Sequence, residues 1–234
     1  MPDAAQLLSF LVAAVLITAT PGPDNLMVLG MGVSRGCRQG IAFGLGCAAG
    51  CLSHTLLAVV GVSALVAASP LAFTALKWLG GGYLVWLGVQ AIRHAGQGVA
   101  AATPVAGAGV QGAAADALSG PSGPSDRSDG AAGAAARAAF LRGLVANAVN
   151  PKVVLFFLSF LPQFVVPGQG AVSTQLGVLG VVFALQAALL FGLLGWFSGG
   201  IGAWLARRPQ AAAWLDRVAG GVFIALGLRM VASR

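Results

Sequence analysis

The stretch "TATPGPDN", Thr18–Asn25, sets two prolines, a glycine and an aspartate in the middle of a long apolar run. Proline removes a backbone donor and clashes with the preceding helical turn, and an ionised aspartate at a bilayer centre costs roughly 2.5 to 3.5 kcal/mol on insertion scales. A run that keeps both has a use for an interrupted helix. Residues 7 to 34 amount to about 42 Å of straight helix against a hydrocarbon core of about 30 Å, so they read as one broken span.

The rest of the chain agrees with a membrane setting. Its 234 residues are 58% hydrophobic and 8% charged, with no Glu, against roughly 25% charge in an average soluble domain. Further apolar runs lie at about 41 to 67, 71 to 92, 143 to 166, 176 to 206 and 212 to 231, each long enough to span. The expectation is an all-α integral membrane protein of six transmembrane helices. The N-terminal "MPDAAQ" has one acid and no Lys or Arg, so the basic region of a secretory leader is missing and the first span is expected to stay in the mature protein. The formal net charge of +7 is spread over helix ends and implies no nucleic-acid partner. Three cysteines, Cys37, Cys47 and Cys51, give no even disulfide set.

The basic residues alternate by loop. Arg35 and Arg38 follow the first span, Arg93, Arg127, Arg137 and Arg142 lie between the third and fourth, and Arg207 and Arg208 between the fifth and sixth. The positive-inside rule places those loops in the cytoplasm and both termini outside. Residues 95–137 are mostly Ala, Gly, Ser and Pro and are expected to form a disordered cytoplasmic linker between a first three-helix repeat, residues 1–94, and a second, residues 138–234.

Two correspondences suggest that the halves repeat. Gly81-Gly82 and Gly88 in the third span match Gly220-Gly221 and Gly227 in the sixth. The first and fourth spans are each broken by a proline beside a charge, Pro23-Asp24 and Pro151-Lys152. Three helices is an odd number, so the second half enters from the opposite side, giving an inverted repeat; paired interrupted helices are the sequence pointer to the binding site of such transporters. Asp24 precedes Arg35 by 11 residues and Lys152 follows Arg142 by 10, which puts both about 15 Å from the cytoplasmic boundary, near mid-membrane. On the second span, Gly40, Gly44, Gly46 and Gly50 form small-residue pairs that let backbones approach closely, within one subunit or between copies in a homo-oligomer.

A break at Pro21-Gly22-Pro23 frees backbone N–H groups and turns the positive end of the second half-helix toward it. Asp24 or Asn25 can cap that end, which is the structural alternative to a functional role. In the fourth span Asn147, Asn150, Pro151 and Lys152 gather within six residues, and charged groups at such depth pair with one another or line a path. A zwitterionic substrate can use both, its ammonium at Asp24 and its carboxylate at Lys152; a permanent Asp24–Lys152 ion pair is the alternative. Lys77 and Asp216 form a second opposite-sign correspondence, read as snorkelling or surface contact. Cys47, Cys51 and His54 share one helical face, a soft donor set for a metal such as Zn, but with no further ligands nearby they are secondary candidates and no metal or other cofactor is expected.

At "PGPDN" and "NPKVVLFFLSFLPQF" the chain resembles the lysine exporter (LysE) superfamily, in particular its homoserine/threonine exporter (RhtB) branch. The patterns "LGGGYLVWLG" and "GGVFIALGL" extend the resemblance over about 1–94 and 138–232. It implies a multi-pass protein of the bacterial inner membrane that exports amino acids or related zwitterions in exchange for protons, its motifs falling on Pro21, Gly22, Pro23 and Asp24 and on Asn150, Pro151 and Lys152. Asp24, the one acid in the predicted spans that lies away from a helix end, is then the first candidate proton carrier. An exporter of divalent or soft metal cations is the alternative within transport. An integral-membrane enzyme is disfavoured, because two His, one Tyr and no Glu offer little for acid–base chemistry. A structural membrane protein leaves the paired breaks unexplained.

Overall fold

The computed structural model describes residues 4–19, 22–64, 69–96, 129–166, 168–200 and 209–232, and every regular element among them is helical. The elements are α1 (Ala4–Ala19), α2 (Pro23–Arg35), α3 (Cys37–Leu57, continued by one π turn, Ala58–Val62), α4 (Pro70–Arg93), α5 (Asp129–Ala148), α6 (Pro151–Ser159, followed by a 3-10 turn, Leu161–Phe164), α7 (Val172–Trp196) and α8 (Pro209–Ala232). The two interruptions fall where proline demands them. Pro23 and Pro151 each open a helix, the one place where a missing N–H is harmless. The chain bends by 56° between α1 and α2 and by 57° between α5 and α6.

α3 and α7 are by themselves long and apolar enough to cross a bilayer, and each bent pair adds one more crossing if it is a single span. At 24 residues each, α4 and α8 have the length but carry Lys77 and Arg93, and Asp216, Arg217 and Arg229; they are not among the candidate spans of the described residues. Leu52 and Leu56 on α3, and Leu185, Leu189 and Leu193 on α7, recur every four residues and are exposed. Such continuous apolar stripes suit lipid rather than water, and the chain is a membrane protein.

Of the expected 95–137 linker, residues 97–128 lie outside the described residues. Its last part differs from the expectation: Asp129–Arg137 is already helix, the first turns of α5. The reason is "AAGAAARAA", since alanine is the best helix former, and a composition too small to build a core still suffices for a helix that packs elsewhere.

α3 sits at the centre, packed on α5 along one side and α7 along another, while α4 pairs with α8. α3 and α5 run in parallel, Phe43 against Gly143 and Gly50 against Asn147; α3 and α7 run antiparallel, Ile41 against Gly195 and Thr55 against Gly180. α4 and α8 cross through the matched glycines. A Cβ on Gly88 would stand 2.5 Å from the Gly220 carbonyl oxygen, and one on Gly227 would stand 2.6 Å from that of Gly81. Phe156, Phe157, Phe160, Phe164 and Phe183 stack in a continuous aromatic cluster between α6, its 3-10 extension and α7, with Phe10 of α1 on Phe164.

Gly36 turns the chain between α2 and α3 at φ 93° and ψ 156°, a region essentially closed to other residues. Gly36→Ala is expected to lower stability by about 1 to 3 kcal/mol, although a Cβ there would touch nothing. Unfolding midpoints in detergent check this, and an unchanged midpoint contradicts it.

Candidate functional site

The α1–α2 break is built from short-range chemistry. Gly22 is the extended residue before α2, at φ −163° and ψ 177°, and no side chain caps the helix there. The Leu26 N–H donates to the Gly22 carbonyl at 3.0 Å, and the side-chain amide of Asn25 donates to the Thr18 carbonyl at 3.0 Å, covering a carbonyl freed at the end of α1. Asp24 does not act as the cap. It stands in the first turn of α2, where the helix dipole favours an anion, and points across to the other broken helix.

There the second break receives it. Asn147 Nδ2 donates to Asp24 Oδ2 at 2.9 Å and Asn150 Nδ2 donates to Asp24 Oδ1 at 3.0 Å. Asp24 is only 8% exposed, so two side-chain donors on an α5–α6 junction hold a buried carboxylate of α2. Both asparagines sit where α5 ends: the Asn150 N–H returns to the Asn147 carbonyl at 2.9 Å, and the Asn150 carbonyl accepts the Val153 and Val154 N–H groups, starting α6. Each carboxylate oxygen retains further lone-pair capacity. A small cavity of about 40 Å³ opens beside these groups, lined among others by Thr18, Asp24, Asn147, Asn150 and Phe183.

The expected residues therefore divide. Gly22, Pro23, Asp24, Asn25, Asn147 and Asn150 come together at this cavity, and Pro151 opens α6 beside it. Pro21 lies outside the described residues. Lys152 lies in the first turn of α6, but its side chain, like that of Lys77, lies outside them. Asp216 accepts the Gly96 N–H at 2.8 Å, holding the chain beyond α4.

Cys47, Cys51 and His54 do share one buried face of α3, and that face is turned to α5. Cys51 Sγ stands 3.6 Å from Asn147 Oδ1, and His54 Nε2 stands 3.0 Å from the Asn147 carbonyl oxygen. Among the described residues no group of three or more His, Cys, Asp or Glu is arranged to hold a metal. His54 instead joins Asn147, and through it Asp24, to the second span.

Sequence reasoning missed Gln186. From α7 its Nε2 donates to Thr18 Oγ1 at 2.8 Å, at the end of α1 beside the cavity. The available signal was an amide alone in an otherwise apolar turn, "ALQAAL". It missed equally a pair near the far end of α7, where buried Gln175 binds the backbone of Val166 at both its N–H and its carbonyl and meets Gln6 of α1.

A family model described as LysE type translocator matches residues 15–234. An uncharacterised membrane protein of Pseudomonas aeruginosa is 29% identical over 222 residues, covering 95% of this chain and 93% of its own. The homoserine/homoserine lactone efflux protein of Salmonella typhimurium is 26% identical over 97% of this chain and 96% of its own. The leucine efflux protein of Klebsiella pneumoniae is 29% identical over 68% and 62% respectively. No solved structure matches.

Proposed function

The chain belongs to the LysE type translocators, transport proteins and not enzymes, and from that premise we propose that it exports amino acids or related small zwitterions from the bacterial cytoplasm in exchange for protons. The observation that carries this reading is the buried Asp24 carboxylate, held across two broken helices by Asn147 and Asn150. An anion kept at mid-membrane with unused acceptor capacity is a receptor for a substrate ammonium group, or for a proton when the substrate has left. The substrate carboxylate is assigned to Lys152 and the freed backbone groups at the start of α6. A cavity of about 40 Å³ holds a few waters but no amino acid, so this is a closed form and loading requires the helix breaks to separate.

The architecture proposed is six spans in two inverted repeats, residues 1–94 and, with the start of α5 included, 129–234, joined by residues 95–128 as the cytoplasmic connection. The near-equal bends of the two interrupted helices support it. So does the α4–α8 crossing: exchanging Gly81 with Gly220 and Gly88 with Gly227 turns the Gly88–Gly220 contact into the Gly227–Gly81 contact, as a two-fold relation requires.

Counterflow in proteoliposomes, with a panel of amino acids and of divalent metals at two pH gradients, tests the function. Amino-acid flux that rises with the gradient is expected; metal flux without amino-acid flux overturns the proposal. Sidedness has its own test. Cys37 is exposed at the start of α3, whereas Cys47 and Cys51 are buried. A membrane-impermeant maleimide is expected to label Cys37 in inside-out vesicles at least tenfold faster than in right-side-out vesicles, and the opposite order reverses the topology.

A further inference from the structure

The proline that opens α6 leaves a want at the end of α5. In an unbroken helix the N–H of residue 151 would donate to the carbonyl of Asn147, four positions back. Pro151 has no N–H to give, and Asn147 is only 1% exposed, so its carbonyl must find donors within the protein. One is the Asn150 N–H at 2.9 Å. The other crosses from α3, where His54 Nε2 stands 3.0 Å from the same oxygen. A carbonyl only accepts, so Nε2 carries a hydrogen. Nδ1, buried and without a hydrogen-bond partner among the described residues, has no use for a second one, so the ring stands as the neutral Nε2–H tautomer. The first break is mended from within instead, by the Asn25 amide on the Thr18 carbonyl.

Asn147 is also the residue that reaches Asp24. Its Nδ2 donates to Asp24 Oδ2, and its Oδ1 faces back to α3, 3.6 Å from Cys51 Sγ, a thiol that has the Cys47 carbonyl within 3.5 Å as well. Gly50 permits the approach, since a Cβ there would stand 2.9 Å from both Cβ and Oδ1 of Asn147. α3 therefore grips Asn147 at its carbonyl and along its side chain, and the amide turns to Asp24 the end that a carboxylate can use. The His54 ring is itself steadied by the Phe157 ring of α6, their centroids 5.7 Å apart. We infer that His54 is a positioning residue of the transport site: it supplies the N–H that Pro151 withholds and, through Asn147, keeps the amide fixed on Asp24. Without it the carbonyl is left to Asn150 alone, the end of α5 loosens, and the group that orders the carboxylate is no longer pre-set for a substrate ammonium.

This inference rests on the amino-acid exporter reading, and its test separates the two. Counterflow per folded transporter is resolved into the half-saturating amino-acid concentration and the maximal rate. His54→Met removes the donor at similar volume and is expected to raise the half-saturating concentration about tenfold, with the maximal rate within about twofold of wild type. His54→Gln, whose side-chain nitrogen can take the place of Nε2, is expected to stay within about threefold of wild type in both. Asn147→Ala keeps the carbonyl but removes the amide through which His54 acts, so adding His54→Met to it is expected to change half-saturation less than about twofold. Half-saturation unmoved by His54→Met, or moved equally by Met and Gln, overturns the positioning role, as a merely structural ring would give. A tenfold change that persists in Asn147→Ala overturns it too, and in each case a protein that carries amino acids leaves the exporter reading intact. If His54→Met cannot be purified folded, nitrogen NMR of a His94→Gln protein, in which His54 is the one remaining histidine, carries the test. Hydrogen on Nε2 and none on Nδ1 is expected, and the opposite tautomer overturns the assignment. Absence of any amino-acid counterflow in the wild type overturns both.

Discussion

Asp24→Asn is expected to reduce amino-acid counterflow about 100-fold or more while leaving a folded protein. In the native site both donors of the α5–α6 junction point at a carboxylate, which only accepts. An amide in its place brings an NH₂ group of its own, and one of the two asparagines is left donor against donor. Hydrogen bonds to a charged group are worth about 1.5 to 3 kcal/mol each, so weakening this pair is enough for an effect of that size before the missing attraction for a substrate ammonium is added. Moving the charge offers the complementary measurement. Asn150→Asp in the Asp24→Asn background restores one carboxylate facing one amide across the same gap, and flux is expected to return to roughly a tenth of wild type or better. Asp24→Asn transporting at half the wild-type rate would remove Asp24 from the mechanism.

The largest effect on stability is expected at the α3–α5 crossing. A Cβ on Gly46 would overlap the carbonyl oxygen of Phe140, and a Cβ on Gly143 would overlap that of Phe43, so each helix meets the other's backbone with nothing between. Gly46→Ala and Gly143→Ala are each expected to cost about 3 kcal/mol, the upper end of overpacking penalties, because backbone cannot step aside as a side chain does. The double variant should cost clearly less than the sum, since separating the helices for one methyl makes room for the second. Gly82→Ala, whose Cβ would meet nothing within 4 Å, is the control and is expected to be neutral or stabilising by about 0.5 to 1 kcal/mol. Unfolding in detergent micelles checks all four, and equal losses at Gly46 and Gly82 would contradict the packing described.

Much of this was legible in the residue order, and the reason is chemical. Proline dictates a break wherever it stands, so Pro23 and Pro151 located both interruptions, and the cost of burying Asp24 marked it as purposeful. The partner was harder. Asp24 and Lys152 are opposite charges at corresponding places, and the Lys152 side chain lies outside the described residues; the donors that the structure adds on the carboxylate are Asn147 and Asn150, which sequence placed nearby without pairing them to it. Sequence periodicity gives the face of a helix but not which helix it meets: the Cys47, Cys51 and His54 face reads as a donor set until α5 is seen packed upon it. Gln186 was illegible for the same reason, since an amide in an apolar span declares a need for a partner without naming it. The helical start of α5 is hard to read because alanine-rich sequence is poor in core and rich in helix propensity, and the two properties point to opposite assignments.

The α3–α5 crossing also bears on how the molecule comes into being. Its glycines, Gly46 and Gly143, are about 100 residues apart, and a ribosome adding roughly 5 to 20 residues per second needs on the order of 5 to 20 s to go from one to the other. During that interval α3 rests in the bilayer with a groove of bare backbone turned to lipid, awaiting a partner not yet made. The newborn chain must therefore either keep its early helices loosely gathered or be escorted, and a slow stretch of translation between the two halves would lengthen the exposure. What the finished protein uses as its tightest joint is, for the nascent one, its longest vulnerability.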